Sequence, residues 1–193
     1  VDSYGADTFR LYLMFMGPLD ASRPWDSKAI SGVHRFLKKI WNLFVSADDG
    51  SIRKFVDLSI EELEVTKARH KLVQRVTRDI EAMQFNTAIA GMMEFLNALG
   101  NKAFSLETAK SIVLILSPFA PHLAEELWAK IGHSQTLAYE SWPSYDLAYL
   151  KEDTVTVVVQ VNGKKRATLD VDVTISEDAL KAQAMEKLAG TDH

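Results

Sequence analysis

From Asp7 to Ile131 apolar residues return every three or four positions, and from Thr154 to Val173 they do not. That change of period constrains the fold more than any other feature of the 193 residues. Spacing of i, i+3, i+4 and i+7 gathers apolar side chains on one face of an α-helix, whereas a dense β-branched run suits a pleated sheet. The chain therefore reads as mainly α: a helical bundle followed by a small α/β domain with a β-hairpin.

The breaks divide the helical part. Asp7 to Phe15 is apolar on one side and Gly17-Pro18 stops it. Residues 18–26 hold two prolines and no helical period, so they read as a loop. Ser27 is positioned to cap a helix with the stripe Ile30, Val33, Leu37, Ile40 and Phe44, ended by Asp48-Asp49-Gly50. Ser59, with Glu61 and Glu62 behind it, reads as the cap of the next, whose stripe is Val65, Ala68, Leu72, Val76, Ile80 and Met83. A further helix spans Phe85 to Leu99 and closes at Gly100-Asn101. Ser105 opens one through Ile112 and Leu116 to Pro118, and Pro121 suits the first turn of the last, His122 to Ile131. Residues 139–146 are an aperiodic connector.

Thr154–Val161 and Lys164–Val173 read as two strands joined at Asn162-Gly163, a strong hairpin signal. A two-residue turn pairs Val159 with Arg166 and Val157 with Thr168. A three-residue loop would instead pair Val159 with Ala167 and Val157 with Leu169, matching apolar with apolar. Turn chemistry favours the first. Ser176, Glu177 and Asp178 then begin a helix to about Leu188.

Candidate chemistry is sparse. Cysteine is absent, which removes disulfides, thiol nucleophiles and Cys-ligated metals together. No glycine-rich phosphate loop and no nucleophile elbow occurs. His122 and Glu126 lie at i, i+4 but lack a clustered third ligand, so no metal site is expected and His122 reads as a helix-start histidine near a carboxylate. Glu125-Glu126 and Asp48-Asp49 are adjacent carboxylates that point apart. Asp20, Arg23, Trp25 and Asp26 share one loop, read as a structured connector. No apolar run approaches the ~20 residues of a membrane span. Trp25, Trp41 and Trp128 read as core or boundary residues.

Charge placement is more telling than the net charge of −4. From 27 to 47 there is no acid, and Lys28, Arg35, Lys39 and Asn42 fall opposite the apolar stripe. From 65 to 78 there is again no acid, and Lys67, Lys71, Arg75 and Arg78 form a ridge. Lys164-Lys165-Arg166 adds a basic hairpin tip. Two acid-free basic helices and a basic tip suit a polyanion, with contacts to phosphates rather than bases.

Two longer segments carry a resemblance. Tyr4-Gly5-Ala6-Asp7-Thr8-Phe9-Arg10-Leu11-Tyr12-Leu13 resembles the segment after the lysine-rich catalytic loop of class I aminoacyl-tRNA synthetases. Ser117-Pro118-Phe119-Ala120-Pro121-His122-Leu123-Ala124-Glu125-Glu126-Leu127-Trp128 resembles the signature of their helical anticodon-binding domain. Met14-Phe15-Met16-Gly17-Pro18, Phe85-Asn86-Thr87-Ala88-Ile89-Ala90 and Val159-Gln160-Val161-Asn162-Gly163-Lys164 are similar to the bacterial-type leucyl-tRNA synthetase family.

The resemblance implies a cytoplasmic, monomeric ligase that joins leucine to tRNA(Leu) with ATP and Mg, and edits mistakes in a separate inserted domain. It places the catalytic and editing sites upstream of Val1, so this chain is expected to be a catalytically inactive C-terminal piece that holds tRNA and carries no cofactor. Residues 1–26 would join the catalytic domain, 27–150 would form the domain that lies along the tRNA stems, and 151–193 a truncated tRNA-binding domain. Arg35, Lys39, Lys67, Lys71, Arg75, Arg78, Lys164, Lys165 and Arg166 are the expected phosphate contacts. The alternatives are the corresponding part of a valyl- or isoleucyl-tRNA synthetase, disfavoured by the lack of a heptad arm and of cysteine, and a helical protein-interaction module that binds no RNA.

Overall fold

The computed structural model describes residues 3–18, 22, 24–26, 28–53, 61–151, 154–161 and 163–189. Asp20, Arg23, Ser27, Ser59 and Asn162 lie outside them. Two compact units divide the chain, residues 1–149 and 150–193.

Among the described residues the first unit holds six α-helices: α1 Ala6–Phe15, α2 Ala29–Phe44, α3 Leu63–Glu81, α4 Phe85–Leu99, α5 Leu106–Leu116 and α6 Pro121–Lys130. The α2 stripe buries as its spacing predicts, with Ile30, Val33, Leu37, Ile40 and Phe44 all inside and Phe36 joining them. These meet Val65, Leu72 and Val76 of α3, Ile89, Phe95 and Leu96 of α4, Ile112 and Leu116 of α5, and Leu127 and Trp128 of α6 in one core. Burying such side chains contributes roughly 1.5–3 kcal/mol each, which outweighs any helix propensity. Phe104, from the α4–α5 turn, is fully buried and packs edge-on against Phe44 at 5.8 Å.

Three expectations change here. Met83 does not extend the α3 stripe. The helix ends at Glu81, Met83 sits at φ 57° in the turn and is 57% exposed. Glu61 and Glu62 precede α3 rather than filling its first turn. Glu61 instead reaches α5, where its carboxylate accepts the Ser105 N–H (2.9 Å) and the Thr108 hydroxyl (2.9 Å). Trp25 is 57% exposed, its ring edge-on to Tyr12 at 4.9 Å and tilted against Phe9 at 6.2 Å.

The connector is fastened to α3. The indole N–H of Trp142 donates to the Thr77 hydroxyl (2.8 Å), and the Asp146 N–H donates to Nδ1 of buried His70 (3.0 Å), whose ring stacks on Tyr149 at 4.6 Å. Burial, and then the charge of Arg69, hold the His70 imidazole below its usual pKa and therefore neutral, as an accepting Nδ1 requires.

The second unit is the hairpin β1 Thr154–Val161 and β2 Lys164–Asp172, with α7 Glu177–Ala189 packed on β2. Its register corrects the expected pairing. Val161 opposes Lys164 and Gln160 opposes Lys165, the two-residue turn as expected. Beyond them Val159 opposes Ala167, not Arg166, and Val157 opposes Leu169, not Thr168. A β-bulge at Arg166 reconciles the two: one extra residue on β2 keeps the glycine turn, with Gly163 at φ 75°, yet returns Ala167, Leu169 and Val171 to the face of Val159, Val157 and Val155. Ala167 and Val171 are buried, and Leu180, Ala184 and Leu188 of α7, at i, i+4 and i+8, are its half-buried residues.

Candidate nucleic-acid interface

Burial of one α2 face leaves the opposite face to water. Arg35, Lys38, Lys39 and Asn42 are all exposed there, as their spacing predicts. The Lys39 ammonium donates to the neutral Asn97 amide oxygen of α4 (2.6 Å), which positions it without neutralising it.

The α3 ridge is less uniform than its sequence. Lys71 and Arg78 are exposed, whereas Lys67 and Arg75 are half-buried. Arg75 turns onto α4 and forms a bidentate pair with Glu94, Nη1 to Oε2 at 2.5 Å and Nη2 to Oε1 at 3.3 Å, with Nε 3.8 Å from Asp79. The arginine bonds and charge hold the Glu94 carboxyl below its usual pKa. Gly91 makes room for this: a Cβ there would lie 2.9 Å from Arg75 Nε and 3.0 Å from its Cδ. Arg78 donates through Nε (3.0 Å) and Nη2 (2.8 Å) to buried Asp79. Arg75 therefore ties α3 to α4 through the exposed Glu94 carboxylate. In Gly91→Ala the added methyl displaces Arg75. The roughly 1 kcal/mol gain in helix propensity offsets much of the lost pair, so stability moves little. The diagnostic change is in Glu94, whose carboxyl should return toward its ordinary 4.5 when titrated by NMR. An unmoved Glu94 would show that Arg75 keeps its place.

Lys164, Lys165 and Arg166 are exposed at the hairpin tip of the second unit, with Arg166 as the bulged residue. The carboxylates considered for catalysis are engaged structurally. Glu125 accepts the Thr136 hydroxyl and the Leu137 N–H, and Glu126 lies 3.8 Å from Lys130. Among the described residues no group of three His, Asp or Glu stands close enough to hold a metal. Nor is any helix long and apolar enough to cross a membrane.

His122 does meet a carboxylate, but it is Asp7 of α1. Asp7 Oδ1 accepts the His122 Nδ1–H (2.8 Å) and Oδ2 accepts the Leu123 N–H (2.7 Å), while Arg10 donates twice to the Pro118 carbonyl (3.1 and 2.9 Å). The two signature segments, more than a hundred residues apart, thus form one joint between α1 and the start of α6. Arg53 and Lys102, which the sequence reading did not single out, flank Lys39 around a concavity. Only the α4–α5 turn and the segment after α2 bring them there.

Exposed cations on α2 and α3 of a helical bundle suit a module that holds a polyanion. Residues 63–181 match the family model described as the anticodon-binding domain of tRNA ligase, and the chain belongs to that family. Leucine–tRNA ligase of Bacteroides thetaiotaomicron is 43% identical over 186 residues, covering 96% of this chain and 19% of that protein. The Phocaeicola vulgatus leucine–tRNA ligase gives the same figures. The chain thus spans about a fifth of the length of these curated relatives. Among solved structures, the ternary complex of Agrobacterium radiobacter K84 agnB2 LeuRS with tRNA and LeuAMS is similar with a TM-score of 0.74 and 28% identity, covering 98% of this chain and 27% of that one.

Proposed function

We propose that this chain is the tRNA-holding portion of a leucine–tRNA ligase, and that it positions tRNA(Leu) for chemistry carried out elsewhere in a longer protein. The observation that carries this reading is the 43% identity to leucine–tRNA ligases over 96% of the chain. The tRNA in the similar solved complex supports it. In this reading the activation of leucine with ATP and Mg, and editing, belong to the remainder of the ligase, and the chain alone joins nothing. Its own contribution is phosphate contact: Arg35 and Lys39 on α2, Lys67, Lys71 and Arg78 on α3, and Lys164, Lys165 and Arg166 at the hairpin tip. Holding a long substrate by its backbone removes orientational freedom at a distant reacting end, which contributes to rate without touching the reaction.

The test is a titration of the chain with tRNA(Leu) transcript at several salt concentrations. Log K should fall linearly with log salt, by roughly one unit of slope per phosphate contact. The double variant Arg35→Glu/Lys39→Glu should bind about 100-fold more weakly or worse, the scale of two lost charge-assisted hydrogen bonds at about 1.5 kcal/mol each. In the full-length ligase the same variant should raise KM for tRNA and leave leucine-dependent ATP–pyrophosphate exchange unchanged. Equal loss in both assays would mean that the residues act through folding.

A further inference from the structure

We propose that the concavity between α2, the segment after it and the α4–α5 turn is a seat for a phosphodiester group of the RNA backbone. It rests on the reading of the chain as a tRNA-holding module and assigns that module a discrete anion site. The concavity measures about 510 Å³, and three cations line it, Lys39, Arg53 and Lys102, with the amides of Asn42 and Asn101 beside them. Among the described residues that line it, none is acidic and none is aromatic. Donors without a stacking surface suit a phosphate rather than a base or a whole nucleotide.

Each cation is delivered by a different stretch of backbone. Lys39 comes from the outer face of α2. The Arg53 backbone is tied to the end of that helix: its N–H donates to the Phe44 carbonyl (2.9 Å), beside the bridge between Val45 and Ile52. Lys102 rises from the α4 terminus because Gly100 adopts φ 55° and the Lys102 N–H folds back to the Leu99 carbonyl (2.9 Å).

Lys102 is paired with Glu64 (2.6 Å) and stands 3.8 Å from Glu62, and both carboxylate side chains are well exposed, at 79% and 65%. Exposed pairs of this kind are weak and screened by salt. Lys102 is therefore held ready by Glu64 and can exchange it for a phosphate.

Two substitutions with opposite expected signs test the site in the 193-residue chain, with tRNA(Leu) transcript as probe. Arg53→Gln should weaken binding about tenfold and reduce the salt slope by about one. Glu64→Gln, which releases Lys102, should tighten binding about two- to fivefold, a gain that misfolding cannot produce. Glu126→Gln on α6, the control for net charge, should leave binding unchanged. If the unaltered chain binds with a steep salt slope but Arg53→Gln leaves affinity and slope unchanged, the pocket is wrong and the tRNA-holding reading stands. Absence of binding by the unaltered chain removes both. Displacement of the RNA by low-millimolar inorganic phosphate at constant ionic strength would overturn the proposal in favour of a free-anion site.

Discussion

Glu61→Ala should lower the stability of the helical unit by about 3 kcal/mol, the lower end of what breaking a buried charge pair costs. The Glu61 side chain is only 7% exposed and that of Arg69, 3.8 Å away, 11%. Glu61 also accepts from the Ser105 N–H, the Thr108 hydroxyl and the Thr66 hydroxyl. Truncation leaves an N–H at the start of α5 without its acceptor and a buried guanidinium whose remaining ion pair among the described residues is Glu107, 67% exposed, at 3.6 Å. The midpoint of thermal unfolding should fall by about 6–12 °C, at 2–4 °C per kcal/mol for a chain of this size. Glu61→Gln, which keeps an acceptor but no charge, should lose about half as much.

The pH dependence follows. Burial raises the Glu61 pKa, but the bonds from Ser105, Thr108 and Thr66 lower it further, so the net shift is below 4.5. A folded pKa below the unfolded one means that the unfolded chain binds more protons near pH 4.5. Glu61 therefore contributes its full stabilisation above that pH and loses it as the pH falls through the lowered value. In Glu61→Gln the acid limb of a stability–pH curve should flatten. An unchanged midpoint and an unchanged acid limb would show that α5 is capped without it.

Asp7→Ala should cost about 2 kcal/mol. The residue preceding α6 is Ala120, which has no side chain to cap the helix, and Pro121 begins it. The anion that a helix N-terminus favours is supplied instead by Asp7, 12% exposed, from another helix. Its loss removes the bonds to His122 and Leu123 together and loosens α1 from α6, leaving Arg10 on the Pro118 carbonyl as the remaining side-chain tie. Thermal unfolding should shift down by about 4–8 °C, and the Leu123 amide should exchange with solvent faster. A lower midpoint with unchanged Leu123 exchange would place the damage elsewhere.

The helices were legible because their stripes are regular. Ile30 to Phe44 on α2 and the Ser105 cap of α5 follow from spacing and local chemistry alone. What failed did so where a local rule met a partner distant in sequence. Met83 carries the right residue type one turn too late, after the backbone has already turned. Glu61 has the local look of a first-turn acid of α3 but bonds across to α5. Both hairpin registers had merit, and a one-residue bulge at Arg166 satisfied turn and core together, which neither regular pairing could do.

The candidate site divides along the same line. The exposed row Arg35, Lys38 and Lys39 was readable because a buried stripe fixes where the opposite face points. The fate of Arg75 was not, since Glu94 and the open space at Gly91 lie on another helix. Sequence alone determined the helical class, the hairpin turn and a basic α2 face, all of which rest on periodicity and backbone preference within a few residues. Tertiary structure alone decided that Asp7 caps α6, that Arg75 pairs with Glu94 of α4, and that Lys39, Arg53 and Lys102 surround one concavity. Those outcomes depend on charges brought together across 14 to 116 residues, and no local rule carries that distance.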